Sequence, residues 1–420
     1  MSMPRKTVIV GQGYVGLPVA MRAVEVGHNV VGIDLDERRV ESLRSGISFV
    51  DDISNVKLKS AISSGRYEVT SDYDAAASFG FAVITVPTPL RESIPDLSFI
   101  ESAARTLGER LTQGATVVLE STTYPGTTQE LLVPILENAS GLVAGRDFHV
   151  GYSPERIDPG NKTWGFVETP KVVSGIDQNS LRVISTFYAE LVNEVVPVSS
   201  PKEAELTKLL ENTFRHVNIA LVNELALFAN QLGVNVWEAI DAAATKPFGF
   251  MKFTPGPGVG GHCLPVDPSY LSWQVRRKLG QNFRFVELAN DINDHMPDYV
   301  VQRLSNLLNK RRKPLNGSNV LLIGLAYKKN TGDIRESPSL RLIDLLRDAG
   351  ATLSAVDNHV EGHRWPSGVT RISSDVNSEA FDVAILLTDH DDFDLETFSG
   401  STVPLLDTRN RLQGENIERL

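Results

Sequence analysis

The start of the chain alternates between short apolar runs and one longer stretch with helical periodicity. The runs at 7–10 and 29–33 are rich in β-branched residues, which is typical of buried strands. Between them, apolar residues at 17–26 recur at helical spacing and stop before Gly27. The pattern predicts a strand, a glycine turn, a helix and a second strand, which together form one βαβ unit.

The same alternation continues through the first half of the chain. Apolar runs at 81–86, 115–119 and 172–174 predict further strands, with helical patterns between several of them. Strands that alternate with helices form parallel sheets covered on both faces. The sequence therefore predicts a doubly wound α/β domain over residues 1–200.

The pattern changes after Pro197 and Pro201. Residues 202–244 form a nearly continuous helical pattern, with neither proline nor glycine before Gly233, and a glycine-rich loop and more helix follow to about residue 309. A helix of this length often joins two domains or forms an oligomer interface. We therefore expect a central helical domain at 201–310 that carries the loop and forms a homodimer.

A basic, turn-rich segment, K-R-R-K-P-L-N-G, marks a boundary near 310–318. Apolar runs at 319–323, 352–356 and 381–387, with a helical segment at 338–349, predict a second α/β domain over 318–420. The predicted fold class is α/β, with two doubly wound Rossmann-like domains joined by a long central helix and a helical middle domain.

Three glycines between the first strand and the first helix form the motif G-x-G-x-x-G. Gly11 permits the tight turn, Gly13 lets the backbone approach a pyrophosphate, and Gly16 lets the helix pack close to the strand. Asp34 ends the second strand, where a carboxylate accepts hydrogen bonds from ribose hydroxyls and repels a 2′-phosphate. The motif predicts NAD in preference to NADP. Flavin is the main rival, and a glycine turn without a ligand is the plain alternative.

Composition narrows the class of protein. The 420 residues are 41% hydrophobic and 22% charged, which is typical of a soluble globular protein. The formal net charge of −11 argues against a general nucleic-acid binder. The N-terminal segment lacks the apolar stretch of a signal peptide, and no run approaches the roughly 20 apolar residues of a membrane span. We expect a cytoplasmic protein with no membrane partner.

The chain has one cysteine, so an internal disulfide and a cysteine-based zinc site are both excluded, and no metal site is predicted. Cys263 lies in the thiol loop, G-P-G-V-G-G-H-C-L-P-V-D-P, at 256–268. Taken alone, it would be interpreted as a small buried hydrophobic residue. A thiol in a loop whose backbone can come close to a ligand also suits a nucleophile.

Five further motifs occur in order along the chain. They are V-P-T-P at 86–89, E-S-T-T-Y-P-G-T-T at 120–128, S-P-E-R-I-D-P-G at 153–160, K-L-L-E-N at 208–212 and G-L-A-Y-K-K-N-T-G-D-I-R-E-S-P at 324–338. With the thiol loop they resemble the nucleotide-sugar 6-dehydrogenases, which act on UDP-glucose, UDP-N-acetylglucosamine or UDP-N-acetylmannosamine. The resemblance runs from about residue 7 to residue 409, and it implies that the C-terminal α/β domain binds the UDP-sugar.

The resemblance implies a four-electron oxidation of the C6 alcohol of a UDP-hexose to a carboxylate, with two NAD⁺. Such enzymes form an aldehyde, capture it as a thiohemiacetal, oxidise that to a thioester and hydrolyse it. By resemblance Cys263 is the nucleophile, because a thiolate both attacks and leaves well.

The resemblance also assigns the other catalytic residues. Lys208 and Asn212, which share a helix face, stabilise the oxyanion of the tetrahedral adducts. Asp267 assists proton transfer through water and pairs with the lysine. Glu155 helps water attack the thioester, and Thr122 supports that water. Without the resemblance, the lysine and the asparagine would be interpreted as an exposed helix face.

Ligand contacts follow in the same way. The cofactor site includes the glycine turn and Asp34, together with Tyr14, Val15, Pro87, Thr88, Thr122 and Arg335. The substrate site includes Glu155, Arg156, Lys208, Asn212, Arg215, Gly260 and Lys328, and Arg409 also faces the nucleotide. Each charged residue in these sets could instead be an ordinary surface charge. His262 is interpreted as loop packing or a substrate contact.

The stretch S-P-E-R-I-D-P-G bears on the sugar. The glucose-type pattern is closer to N-P-E-F-L-x-E-G, and Pro159 stands where its second glutamate would fall. The stretch resembles the acetamido-sugar branch, in which Arg156 and Arg215 match substrate contacts. Within that branch the motif at 120–128 favours UDP-N-acetyl-D-glucosamine, while UDP-N-acetyl-D-mannosamine and UDP-glucose stay open.

Two other kinds of function stay open. A two-electron NAD dehydrogenase on the same fold would not need a thiol, and the thiol loop and second α/β domain argue against it. A non-catalytic nucleotide-binding regulator would be expected if Cys263, Lys208 or Asp267 were missing, and all three are present. The resemblance also implies that a lysine or arginine near the start of the thiol loop reaches the neighbouring subunit's site in a dimer, and Lys246 and Lys252 are both candidates.

Overall fold

The structure is a computed structural model that describes residues 6–50, 52–91, 94–157, 161, 163–261, 263–373 and 378–420, without the side chains of residues 263, 265 and 378. The chain forms two compact units, Met1–Glu211 and Asn212–Leu420. The long helix α7, Pro201–Leu232, contributes residues to both. The division into three domains at 1–200, 201–310 and 318–420 stays a prediction.

The first unit is built around a six-stranded sheet in the order β3-β2-β1-β4-β7-β8, in which all neighbouring strands are parallel. Its core includes the fully buried side chains of Ile9, Val83 and Val118 on the central strands. Its strands are β1 Lys6–Val10, β2 Asn29–Ile33, β3 Tyr67–Thr70, β4 Phe81–Ile84, β5 Leu90–Arg91, β6 Ile94–Pro95, β7 Thr116–Leu119, β8 His149–Tyr152, β9 Lys171–Val173 and β10 Val195–Pro197. Its helices are α1 Gly16–Glu25, α2 Glu37–Arg44, α3 Asn55–Ser63, α4 Ser98–Gly108, α5 Val133–Ser140 and α6 Gln178–Leu191.

The second unit contains helices followed by another six-stranded parallel sheet, in the order β13-β12-β11-β14-β15-β16. Its helices are α8 Val236–Ala244, α9 Cys263–Leu279, α10 Arg284–Lys310, α11 Pro338–Asp348 and α12 Leu395–Ser399. Its strands are β11 Asn319–Ile323, β12 Thr352–Val356, β13 Val369–Arg371, β14 Val383–Leu386, β15 Leu405–Asp407 and β16 Ile417–Arg419. Among the described residues, no helix is both long enough and apolar enough to cross a membrane.

The two sheets share one topology. In each, the order of strands along the chain is 3-2-1-4-5-6, which is the order of doubly wound dinucleotide-binding sheets. This order places the carboxyl end of the first strand beside that of the fourth, where the direction of winding reverses. The predicted α/β class with two Rossmann-like sheets is confirmed.

The nearly continuous helical stretch predicted at 202–244 consists of two helices, α7 and α8, with a short break at 233–235. Helix α7 ends at Leu232, because Gly233 adopts a φ of +68° that turns the chain out of the helix. Helix α8 begins after Asn235, whose side chain accepts hydrogen bonds from the backbone N–H groups of Trp237 and Glu238. Glycine and asparagine therefore divide a segment whose periodicity alone looks uniform.

Candidate active site

The glycine turn after β1 has the geometry that its spacing predicts. Gly11 has a φ of +91°, and a Cβ placed on it would lie 2.7 Å from the carbonyl oxygen of Thr85. A Cβ on Gly16 would lie 1.8 Å from the carbonyl oxygen of Gly11. A Cβ on Gly13 would meet no atom within 4 Å. The first and third glycines are thus required by the fold, whereas the second faces open space that a pyrophosphate could occupy.

The helix that follows this turn can bind an anion. Helix α1 begins at Gly16, and no side chain caps its first backbone N–H groups. Uncapped N–H groups and the positive end of the helix dipole bind phosphate. Tyr14 is exposed and Val15 half-buried beside the open side of the turn. These residues fit a dinucleotide such as NAD.

Asp34 lies at the carboxyl end of β2 and is held by the backbone. Its Oδ2 accepts the N–H of Gln12 at 2.9 Å, and its Oδ1 accepts the N–H of Asp36 at 2.9 Å. Nη1 of Arg39 lies 3.7 Å from Asp34 Oδ2. Since each carboxylate oxygen can accept more than one hydrogen bond, both keep acceptor capacity for ribose hydroxyls.

The equivalent acid in the second sheet, Asp357, has no such spare capacity. Its Oδ2 accepts the N–H groups of Leu325 and Ala326 and Nε2–H of His390, and its Oδ1 accepts the N–H groups of His359 and Val360. The ring of His390 donates through Nε2, because its Nδ1 accepts a backbone N–H. Burial raises the pKa of Asp357, but these donors outweigh it and hold the pKa at about 2.

The predicted cofactor residues after β4 and β7 lie on segments joined by a hydrogen bond. Oγ of Ser121 donates to the carbonyl oxygen of Val86 at 2.7 Å. Thr88 is buried, Pro87 is exposed and Thr122 is half-buried. Both segments extend from the carboxyl ends of adjacent strands, which is the edge where doubly wound sheets bind ligands.

Glu205 on α7 anchors the turn that follows Thr122. Its Oε2 accepts the N–H of Gly126 at 2.5 Å, and its Oε1 accepts the N–H of Thr128 at 2.8 Å and its hydroxyl at 2.7 Å. Burial raises the pKa of Glu205 to about 7, against the lowering effect of these hydrogen bonds. Sequence reasoning missed this residue, because a glutamate near the start of a helix is usually solvated.

Lys208 and Glu155 form a mostly buried ion pair in the first unit. Nζ of Lys208 donates to the carbonyl oxygen of Glu155 at 2.6 Å and lies 3.2 Å from its Oε2. Only 7% of the Lys208 side chain and 13% of the Glu155 side chain are exposed. The two residues predicted to act on the same thioester therefore lie in direct contact.

Arg156, a predicted substrate contact, is bound within its own unit. Its guanidinium lies 2.7 Å from Oε1 of Glu211 and donates to the carbonyl oxygen of Pro170 at 2.6 Å. These bonds fix the turn that carries Glu155. A quarter of the side chain, 26%, stays exposed.

Asn212 and Asp267 are joined by a hydrogen bond in the second unit. Nδ2 of Asn212 donates to Oδ2 of Asp267 at 2.6 Å, and both side chains are buried. Asn212 lies one helical turn after Lys208 on α7. The structure thus places the predicted amide next to the predicted acid.

The thiol loop packs tightly on the motif at 324–338. A Cβ on Gly260 would lie 2.7 Å from Cβ of Tyr327, and one on Gly261 would lie 2.7 Å from the ring of that tyrosine. The N–H of Gly261 donates to the carbonyl oxygen of Arg335 at 3.1 Å. These contacts show how closely the loop glycines approach the chain's own residues, and the approach of a substrate or the nicotinamide to them stays a prediction.

The backbone of Cys263 begins α9, while the predictions that depend on its side chain lie outside the described residues. The interpretations of His262 and Pro159 lie outside them as well.

A buried chain of amides anchors the other end of the thiol loop. The N–H of Gly256 donates to Oδ1 of Asn223 at 2.9 Å, and Nδ2 of Asn223 donates to Oδ1 of Asn293 at 2.9 Å. His216 continues the chain, and burial lowers its pKa. Sequence reasoning missed both asparagines, although a polar amide at a core position of an apolar helix face is a usable signal.

The predicted cationic ligands of the second unit differ in their surroundings. Arg409 donates through Nε to the carbonyl oxygen of Leu387 at 2.6 Å, and burial lowers its pKa. Its Nη1 would lie 3.2 Å from a Cβ on Gly256, so it borders the thiol loop. Lys328 is half-buried and Arg215 is exposed on α7. Arg335 forms an ion pair with Asp333 at 2.6 Å.

Models of three domains of one protein family match this chain. The NAD binding domain of the UDP-glucose/GDP-mannose dehydrogenase family matches residues 5–192. The central domain of that family matches residues 202–295, and its UDP binding domain matches residues 321–414.

Two relatives and one solved structure are similar over almost the whole chain. A UDP-N-acetyl-D-mannosamine dehydrogenase of Pyrococcus horikoshii is 36% identical over 386 residues, which cover 92% of this chain and 89% of the relative. A UDP-N-acetyl-D-glucosamine 6-dehydrogenase of Pseudomonas aeruginosa is 37% identical over 394 residues, which cover 92% and 91%. The structure of the UDP-D-ManNAc dehydrogenase from Pyrococcus horikoshii has a TM-score of 0.88 at 33% identity, covering 99% of this chain and 98% of that chain.

Proposed function

This chain belongs to the UDP-glucose/GDP-mannose dehydrogenase family and is an NAD-dependent oxidoreductase, and we propose that its substrate is UDP-N-acetyl-D-glucosamine. The proposed reaction is the four-electron oxidation of C6 to the uronic acid through a thiohemiacetal and a thioester on Cys263. The buried contact between Lys208 and Glu155 carries this proposal, because a thioester route needs a cation for the oxyanion and a carboxylate for the attacking water. NAD, when bound, accepts the hydride in each of the two oxidations.

The described residues support separate roles in this route. Lys208 brings an ammonium group and Asn212 an amide donor to adjacent turns of α7, where they stabilise the oxyanion of the tetrahedral adducts. Glu155 takes a proton from the water that attacks the thioester, with Thr122 orienting that water. Asp267, held by Asn212, takes part in proton transfer through water.

The proposal also specifies which sugar the UDP-sugar substrate carries. The relatives divide between N-acetylglucosamine and N-acetylmannosamine at 37% and 36% identity. Arg156 and Arg215 are the residues that we assign to the acetamido sugar. UDP-N-acetyl-D-mannosamine is the second candidate, because the Pyrococcus horikoshii relative acts on it and its structure is similar over 99% of this chain.

The ratio of NADH formed to UDP-sugar consumed tests the function. Assays with UDP-N-acetylglucosamine, UDP-N-acetylmannosamine and UDP-glucose should give a ratio of two and an acid product with the true substrate. The Cys263→Ala variant should bind NAD as the parent does and form no acid. A ratio of one would show that the thiol takes no part in a second oxidation. NAD binding without turnover on any UDP-sugar would instead favour a regulator.

We further infer that the protein is a homodimer joined through an apolar stripe on α7. Phe214, Leu221, Leu225, Phe228 and Leu232 are 45% to 76% exposed, and their spacing places them on one face of the helix. A contiguous exposed apolar surface on a protein that must stay in solution usually marks an interface. A second copy of α7 offers the same surface and can cover it symmetrically.

A further inference from the structure

Lys171 is a buried cation to which the proposed reaction assigns no role. It is the first residue of β9, and only 6% of its side chain is exposed. Its Nζ lies 3.1 Å from Oε1 of Glu120 and donates to the carbonyl oxygen of Pro154 at 3.2 Å. The ammonium also lies 5.2 Å from the ring centre of Tyr188. A lysine side chain is rarely buried unless it is paired, so this environment is specific.

Glu120 depends on this lysine. Its side chain is fully buried, and its Oε1 also accepts the hydroxyl of Tyr188. Its Oε2 has no hydrogen-bond partner within the described part of the chain. Lys171 is the only cation that forms an ion pair with Glu120 among those residues. Removal of the lysine would therefore leave a buried carboxylate without a counter-charge, which strongly disfavours the local arrangement.

The two partners of Lys171 belong to the two segments that carry the proposed hydrolytic residues. Pro154 directly precedes Glu155, and Glu120 precedes Thr122 by two positions. Two ammonium groups thus hold consecutive carbonyl oxygens, Lys171 that of Pro154 and Lys208 that of Glu155. The turn that carries Glu155 is therefore held at two consecutive carbonyl groups, and the segment that carries Thr122 is joined to Lys171 through Glu120.

We propose that Lys171 is a positioning residue for thioester hydrolysis, an inference that rests on the function proposed above. In that step a water oxygen bonds to the thioester carbon while Glu155 takes one of its protons. The carbon–sulfur bond then breaks, the Cys263 thiolate leaves, and the released acid loses its remaining proton to solvent. Lys171 touches none of these atoms. It holds the carboxylate of Glu155 and the hydroxyl of Thr122 in positions from which both contact the same water.

Pre-steady-state kinetics of Lys171→Met test this role. The variant is mixed with saturating NAD and with the UDP-sugar that the parent enzyme turns over. We expect a burst of two NADH per active site, followed by a steady-state rate lower than that of the parent by about 10- to 100-fold, the cost of a misplacement near 1 Å. A Cys263 acyl adduct should accumulate and be visible by intact mass after acid quench. Lys171→Arg should restore part of the rate.

Arg303→Met is the matched control. Arg303 is also a buried cation, 6% exposed and 3.3 Å from Oε2 of Glu418, but it lies in the second unit on α10. A general effect of losing a buried ion pair would lower the melting temperature of both variants. Only Lys171→Met should convert the linear progress curve into a burst with a trapped adduct.

The outcomes separate this proposal from the proposed function. A smaller burst in Lys171→Met, or a lower rate without an adduct, would overturn the positioning role. A parent enzyme that forms one NADH per sugar would overturn the thioester route and the positioning role together. If Lys171→Met does not fold, the double variant Glu120→Gln/Lys171→Met removes both charges, and the same burst and adduct are expected from it.

Discussion

Asp34 is the residue that we expect to select between NAD and NADP. Replacement by serine removes the acceptor for the ribose hydroxyls and releases Arg39, which lies 3.7 Å away, to meet a 2′-phosphate. Because a hydrogen bond to a charged group contributes about 1.5–3 kcal/mol, kcat/KM with NAD should fall about 10- to 100-fold. The kcat/KM with NADP should rise. Steady-state kinetics with both cofactors check this.

Asp36→Asn is the control for Asp34→Ser. Asp36 also contacts Arg39, at 3.9 Å, but it caps α2 rather than ending β2. The asparagine keeps the cap, so the ratio of NAD to NADP activity should stay near that of the parent. An equal shift in both variants would show that the local net charge, and not Asp34 itself, sets the preference.

Glu205 makes the stability of the first unit depend on pH. The carboxyl group has an ordinary pKa of 4.5 and a folded pKa of about 7, so folding takes up a proton between these values. The free energy of unfolding should therefore fall as pH rises from about 4.5 to about 7 and be constant above that, by on the order of 3 kcal/mol in total. Urea unfolding of the parent and of Glu205→Gln from pH 5 to 8 should show this slope in the parent alone. Parallel curves would contradict the raised pKa.

At the residue scale, the sequence predicted the proposed catalytic residues better than the residues that hold them in position. Lys208, Glu155, Asn212 and Asp267 were assigned because their motifs resemble a known family, and the structure pairs them two by two. Lys171 was not assigned, because a lone lysine at the start of a strand looks like a surface charge. Its importance depends on partners 17 and 51 positions away, and no local pattern contains that information.

At the scale of elements, the glycine turn permits a matched pair of variants. In Gly16→Ala the new Cβ meets the carbonyl oxygen of Gly11 at 1.8 Å, so the junction of β1 and α1 must shift and the melting temperature should fall by several degrees. In Gly13→Ala the Cβ enters open space, so the melting temperature should stay close to that of the parent. Its affinity for NAD should fall about tenfold or more, because the pyrophosphate needs that space.

Thermal unfolding and NAD titration of both alanine variants check this pair. Loss of stability in Gly13→Ala, or unchanged NAD affinity in a folded Gly13→Ala, would contradict the assignment of the open space to the cofactor.

Strands of five residues were predicted well, whereas the short outer strands of the second sheet were not predicted. β2, β11 and β12 have the bounds that their apolar runs indicate. The short outer strands β13, β15 and β16 each have three residues, too few for a periodic pattern to develop. The exact bounds of the break after α7 depend on two residues, Gly233 and Asn235, and the periodicity of the segment does not show them.

At the scale of the whole molecule, the inferred dimer gives a test of the stripe on α7. Leu221→Glu combined with Phe228→Glu places two charges in the centre of the apolar face, where a partner would bury them. Light scattering after gel filtration should give the mass of two chains for the parent and of one for the variant. Val56→Glu changes an apolar residue of the first unit that is more exposed, at 79%, and should leave the parent mass unchanged. A monomeric parent would overturn the inference.

The repeated sheet has a consequence for stoichiometry. Two sheets of one topology suggest two equivalent dinucleotide sites. The acids that follow the second strand of each sheet differ, however, in how many further hydrogen bonds they can accept. Asp34 keeps lone pairs that can accept hydrogen bonds from a ligand, whereas those of Asp357 already accept hydrogen bonds from backbone N–H groups and from His390. Calorimetric titration should therefore give one dinucleotide per chain, with no weak second class of sites. We therefore expect only the sheet of the first unit to bind the dinucleotide, because the hydrogen bonds of Asp357 occupy the acceptor sites that Asp34 keeps.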